Sequence, residues 1–456
     1  MSLRRTRSQT KAANASKGVE VTASRRQKRR VDQLSSQDAE RAPKRAQQSV
    51  SLDDVQFLEK AKKQMSTLDL PANSIRTKTL HVLNQYLERL QPIEQKGVKA
   101  LCPAAHFLTT EEARHLLGSD AHLGVPVFVS GCRLPSTLEE GSPKRPIEQL
   151  FEWLDDEVDR HETPNVETTE EEMSSYNVRE IKKAFRRHNG YTKYPTNFAD
   201  IPSNLPGSQI PPWIATPNCS FLNNLMGTVM DNSVEDVLNA HMVNESEEPL
   251  QINNEDGKPV PNFAELVELS MAWRHWQTTI MLAEAGAVTL PHWDRYGLAT
   301  WIHCIEGEIG FAWLDRPTKK EHIAWMRQDI QGRWLFKVIR PGDTLYMPGG
   351  TVHLVFRLPH GKQTAGFAGN LIRRCDVNGW LRILAKELEF EIDEPSDVPY
   401  LRLLPQIMLT VIYLLKNQRS QDDTDKHGGR GDANDLVFRN RLETVRRLLM
   451  ELNEQA

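Results

Sequence analysis

A chain of 456 residues that is 39% hydrophobic and 26% charged holds material for about two or three domains and can bury a real core, but its composition is not that of a membrane protein. The net charge of −4 is unevenly spread: residues 1–50 carry 13 Lys or Arg against Glu20, Asp32, Asp38 and Glu40, a balance of +9 that leaves −13 for the remainder. The five Cys, at 102, 132, 219, 304 and 375, form no CxxC pair and are odd in number, which argues against a disulfide framework or a zinc finger and for a reducing compartment.

The arm of residues 1–50 lacks apolar periodicity and is expected to be disordered. Its clusters SRRQKRR (Arg25, Arg26, Lys28, Arg29, Arg30) and APKR (Lys44, Arg45) have the form of a two-part nuclear import signal or of a nucleic-acid-contacting tail. A merely solvating tail is the plain alternative. The apolar face of a mitochondrial presequence is missing, and no apolar stretch follows Met1, so no secretory leader is expected.

Residues 51–120 read as a helical support region. Ser51 with Asp54 has the spacing of a capping box, Leu80, Leu83, Leu87 and Leu90 form one stripe, and Thr109 with Glu112 starts another short helix. Residues 121–265 are a mixed region with polar loops: VPVFVSG at 125–131 is a strand, and Pro146 opens a helix with Ile147, Leu150, Phe151, Leu154 and Val158 on one face. The segment KKAFRRHNGYTKY that follows interleaves cations with aromatics. It reads either as a contact for nucleic acid or a histone tail or as an amphipathic helix with its charges in water.

A helix over 261–276 leads into the β-rich core of residues 266–375. Short strands are predicted at 277–292, 299–306, 308–314, 335–340, 343–347, 352–357 and 364–371, the pattern of an antiparallel barrel, with 315–334 as a polar insertion at one mouth. Trp273, Trp276, Trp293, Trp301, Trp313, Trp325 and Trp334 place the densest packing here, mostly as core. His292 and Asp294, one residue apart on a strand, share a face. His353 follows the turn-forming run PGDTLYMPGG. Two imidazoles and a carboxylate with open coordination positions are the facial set that holds non-haem Fe(II). His275, His303, His322 and His360 have no ligand spacing and read as structural or surface residues.

Residues 376–456 are expected to be helical. LRLLPQIMLTVIYLL at 401–415, with Arg402 and Pro405, is too short for a membrane span and reads as a buried or dimer-forming helix. Residues 418–435 are a flexible linker, whose Arg430-Gly431-Asp432 is taken as coincidence. Leu442, Val445, Leu449 and Leu452 line a last helix that caps the fold or self-associates.

Thr289-x-x-His292-x-Asp294, the following Gly297 and Trp301, the Gly307 turn, PGDTLYMPGGTVH and GFAGN ending at Asn370 together resemble the Jumonji C (JmjC) oxygenases over roughly residues 265–415. The likeness is closest to the histone lysine demethylase branch that also carries PHD or CXXC fingers, although neither finger's spacing is present. It implies an α+β fold: a double-stranded β-helix of cupin or jelly-roll type with helical layers before and after it. It also implies His292, Asp294 and His353 as iron ligands and catalytic residues, and Thr289 and Asn370 in the pocket of the cosubstrate 2-oxoglutarate.

One position departs from the family. Where the family has a Lys for the distal carboxylate of 2-oxoglutarate, this chain has Ile309. An unpaired buried carboxylate is costly, so Arg357, four residues beyond His353 on the same strand face, is the candidate substitute cation, with Lys362 a weaker one. The leading expectation is a nuclear Fe(II) and 2-oxoglutarate dependent dioxygenase that hydroxylates or demethylates a histone tail or another protein. The alternatives are a JmjC scaffold with weakened catalysis, acting as a chromatin interaction protein, and an unrelated cupin function such as small-molecule binding.

Overall fold

The computed structural model describes residues 52–221 and 278–390, apart from 73, 94–102, 135–137, 140, 155–177, 188–194, 203–204, 206–208, 295–296 and 328. The expectations for the basic arm, the helix over 261–276, the linker, the helices beyond residue 400, Ser51, Cys102 and His275 lie outside those residues. Among the described residues no helix is long and apolar enough to cross a membrane.

Twelve described strands form two sheets. The first contains β1 (Gln91–Pro92), β9 (Trp334–Ile339), β8 (Ile309–Leu314), β11 (His353–Phe356) and β6 (Val288–His292), in that order across the sheet. The second runs β2 (His106–Leu108), β3 (Val127–Val129), β10 (Thr344–Met347), β7 (Ala299–Glu306), β12 (Thr364–Leu371), β5 (Thr279–Ala283), β4 (Asn197–Pro202). Four of these strands come from upstream of residue 266. Pairing is antiparallel except for β1 with β9 and β2 with β3, and the whole fits a jelly-roll-like α+β fold.

Alternation sorts each strand into an inner and an outer face. Ile309, Phe311, Trp313 and Val355 of the first sheet meet Ile302, Cys304, Leu345, Met347 and Ala368 of the second in one buried cluster. The outer face of the first sheet (Ala312, Leu314, Phe336, Leu354, Phe356) packs on helices α1 (Leu52–Ser66) and α2 (Ile75–Leu87). The outer face of the second (Trp301, Tyr346, Phe367) packs on α3 (Thr110–Gly118), α4 (Pro146–Trp153) and α5 (Val178–Arg187).

The expected support layer forms, with local corrections. Leu80, Leu83, Leu87 and Leu90 are all buried, and Thr109 with Glu112 makes the capping box of α3. Asp54, whose expected capping partner Ser51 lies outside the described residues, makes long-range contacts. It is 2% exposed and accepts from Lys337 Nζ at 2.7 Å and Arg340 Nη1 at 2.8 Å, pinning α1 to β9. The predicted strand 277–292 is two strands, because Gly286 turns the chain at φ 83°, a conformation open to glycine. Arg76 of α2 fixes that turn by donating from Nη2 to Gly286 O at 2.6 Å. In α5, Ile181 and Phe185 are buried while Arg179 and Lys183 face water; Lys182, expected in water, is instead buried and donates to Leu154 O, and residues 188–194 of that segment lie outside the described ones. The polar insertion contains a helix of its own, α6 (Lys319–Met326), and the fold's last described helix is α7 (Val377–Phe390).

Two expectations follow. Asp54→Ala leaves a buried ammonium uncompensated and should lower unfolding free energy by about 3 kcal/mol in urea titration, with Asp54→Leu plus Lys337→Met recovering most of it. His303, buried and 2.7 Å through Nδ1 from Thr344 Oγ1, is pushed by burial from 6.5 down to about 4. Its folded-state pKa is depressed, so its contribution is complete above pH 6.5 and lost as pH falls towards 4. His303→Gln should flatten the acid limb of the stability curve over that window.

Candidate metal centre

Strand β6 reaches the site with an irregularity. Its partner β11 pairs His353 with His292 and Val355 with Thr289, so Leu290 and Pro291 together stand opposite Leu354 alone. This is a β-bulge, and Pro291, which has no N–H for a ladder, is at home there. Strict alternation would put Thr289 and His292 on opposite faces. The extra residue returns both to the inner face shared by His353 and Val355, while Val288 and Leu290 pack outward with the helices.

His292 and His353 now lie side by side, ring centroids 4.3 Å apart. Nε2 of each is 3.7 Å from Asp294 Oδ1, and the ligand atoms of all three residues fall within 4.8 Å of one another. Nδ1 of His292 is 2.8 Å from Leu290 O and Nδ1 of His353 is 2.9 Å from Thr351 O. A carbonyl only accepts, so the hydrogen-bond network assigns the proton to each Nδ1 and leaves each Nε2 lone pair facing Asp294. Burial, with the neighbouring His292, pushes the His353 pKa down to about 4 against the opposing pull of Asp294 and the Thr351 carbonyl. The imidazole is thus neutral at pH 7, the form a metal needs. Bonds of about 2.1 Å hold donors roughly 3 Å apart, so each His–Asp pair, now at 3.7 Å, closes by under about 1 Å to seat a first-row ion, and the widest pair, within 4.8 Å, closes by up to about 2 Å.

The expected cosubstrate residues spread inward from this group. Thr289 is buried and its hydroxyl accepts from Asn197 Nδ2 at 2.9 Å. Asn370 pairs across the ladder with Thr300, whose hydroxyl donates to Asn370 Oδ1 at 3.0 Å. Ile309 is 2% exposed among inner apolar side chains. The β8–β11 register runs from His353 beside Trp313 to Phe356 beside Gly310; one further step sets Arg357 beside Ile309. Arg357 is 3% exposed and donates from Nε to Thr364 Oγ1 at 3.2 Å on the second sheet. It stands four residues, about 13 Å, along the strand from His353. Lys362 is exposed in a turn and does not belong to the interior.

Four further residues bear on the site. Asn197 supports Thr289 from 92 positions away. Thr279 Oγ1 and Trp313 Nε1, on strands whose inner faces meet, are buried with no hydrogen-bond partner among the described residues. Outside the sheet, Trp293 sits between His292 and Asp294 in sequence, stacks on His322 of α6 at 4.9 Å and packs tilted against Trp325 at 5.0 Å. His322 is thus a packing residue, as are His303 and the buried Cys132, Cys219 and Cys304.

No family model matches the chain. Two curated proteins are similar to it at 24% identity over 135 residues, 27% of this chain: the JmjC domain-containing histone demethylation protein 1 of Caenorhabditis briggsae and that of Caenorhabditis elegans. The match takes in 12% of the length of each. A solved structure, Drosophila melanogaster CENP-C bound to CAL1, aligns with 21% of this chain and 63% of its own at 12% identity and a TM-score of 0.16, too low to indicate a shared fold.

The geometry predicts uptake of one divalent transition metal per chain. His292→Ala, Asp294→Ala and His353→Ala should each weaken it by more than the roughly 10- to 100-fold that loss of a supporting hydrogen bond costs a metal site, as read by calorimetric metal titration.

Proposed function

Taking as premise the weak homology that relates this chain to the JmjC family, we propose that it is an Fe(II) and 2-oxoglutarate dependent dioxygenase acting on a chromatin protein in the nucleus. The observation that carries the reading is the convergence of His292, Asp294 and His353, with both imidazoles held by carbonyls in the metal-binding tautomer. Iron with 2-oxoglutarate would supply the oxidising power to hydroxylate a C–H bond; on an N-methyl group that hydroxylation ends in demethylation. The protein contributes position and exclusion of water. His292 and His353 would give Nε2 lone pairs, and Asp294 would give a carboxylate that offsets the ion's charge. Thr289, oriented by Asn197, and Asn370 would line the cosubstrate's place.

The distal carboxylate requires a cation, and Arg357 meets that need. It occupies the depth of the missing Lys, one strand over, and its guanidinium reaches across to Thr364. The relatives' printed names concern histone demethylation; here a histone tail and a hydroxylated non-histone protein are both substrates consistent with the site. The basic arm supplies the nuclear reading and a contact for nucleic acid. A second reading, a JmjC scaffold without turnover, is favoured by one observation, the apolar Ile309 buried where the family's Lys would stand.

The two readings separate on 2-oxoglutarate. Fe(II)-loaded protein should consume it and release succinate, and Arg357→Met should raise its KM about tenfold while metal affinity stays constant. Absence of 2-oxoglutarate binding at millimolar concentration would favour the scaffold instead.

A further inference from the structure

A cavity of about 220 Å³ opens beside the metal group without using any of its three residues. Its walls come from the turn before β11, the end of β8 with Asp315 and Arg316, the end of β12 with Arg373, and Arg382 of α7. The two regions touch at Trp313, which lines the cavity and stands beside His353 in the β8–β11 ladder. The volume is below the roughly 300–1,000 Å³ of pockets for drug-sized ligands and suits a single side chain.

The charges around it point one way. Asp315 is held by Arg316 Nε at 3.0 Å and Arg333 Nη1 at 3.4 Å. Asp376 is held by Arg373 Nη1 at 2.9 Å and lies 2.9 Å from His122 Nδ1. Both carboxylates are therefore committed to cations. Arg382 is exposed and, among the described residues, makes no hydrogen bond or ion pair. The indole N–H of Trp313, a residue 1% exposed, has no acceptor among the described residues. Arg316 also has the only positive φ of a described non-glycine residue, 44°, a strained conformation of a kind that gathers at binding sites. Among the described residues of the lining, donors and positive charge are left over and no carboxylate is left for a cation.

We propose that this cavity receives a carboxylate side chain of an acidic protein segment, with Arg382 as its ion-pair partner and the Trp313 indole as a hydrogen-bond donor. The inference deepens the oxygenase reading and rests on it for the destination: the residue brought to the metal is flanked by Asp or Glu. Binding itself does not require the metal.

The test titrates fluorescein-labelled hexaglutamate, hexalysine and hexathymidylate into the full-length protein with no metal added, followed by anisotropy. The basic arm attracts any anion, so the comparison between variants decides. Arg382→Gln and Trp313→Phe are each expected to weaken hexaglutamate binding about tenfold and to leave hexalysine unchanged. Affinities for hexaglutamate within twofold of the parent in both variants, a preference for hexalysine, or an Arg382-dependent affinity for the oligonucleotide alone would overturn the proposal. If Trp313→Phe does not fold, Arg382→Gln, a surface change, decides alone. Arg382-dependent binding retained by a protein that takes up no metal removes the oxygenase reading and leaves the acid site standing; metal uptake and turnover without that dependence remove the acid site only.

Discussion

The site depends on one extra residue in a ladder. Without the bulge opposite Leu354, β6 could present Thr289 or His292 to the interior, but not both, and the candidate cosubstrate contact and the candidate ligand would lie on opposite faces of the sheet. A bulge of this kind costs a ladder bond. Here the cost is small because the residue placed in it is Pro291, which has no such bond to lose.

The bulged strand is held from outside. Arg76 grips the Gly286 carbonyl at the turn from which β6 starts, and α1 is fixed to the same sheet by the Asp54 ion pairs and by Phe57 against Phe336 and Phe356, ring centroids 6.1 and 6.0 Å away. The N-terminal helices, which carry no chemistry, therefore set the register in which the chemistry is offered. Side chains at the interior end of β11 are as constrained: Arg357 is tied through its backbone N–H to Ala287 O at 3.0 Å and through its side chain to Thr364.

Much of this was legible from residue types alone. The His-x-Asp pair with a distal His behind a Pro-Gly-Asp turn announces the cluster that the sheets bring together, the strand ends fall within a residue or two of the alternation pattern, and the leucine stripe of α2 is a packing face. What was not legible depends on long-range partners. Asp54 carries the spacing of a capping residue, and only the arrival of Lys337 and Arg340 some 280 positions later turns it into an anchor. Asn197 is one polar residue among many until β4 lies beside β5. The segment 277–292 reads as one strand because Gly286 is a single residue in an apolar run, and the α6 helix is hidden in a polar stretch with no fully buried residue of its own.

That helix gives the architecture a degree of freedom. Because α6 touches the loop of the candidate metal centre through the rings of His322 and Trp325 on Trp293, and Trp293 is the spacer between the candidate ligands His292 and Asp294, that loop rests against a surface excursion between two strands. Exchanging or lengthening that excursion would re-aim His292 and Asp294 while every strand stayed in place, so the geometry of the candidate centre can diversify through a part of the chain that the sheets do not need.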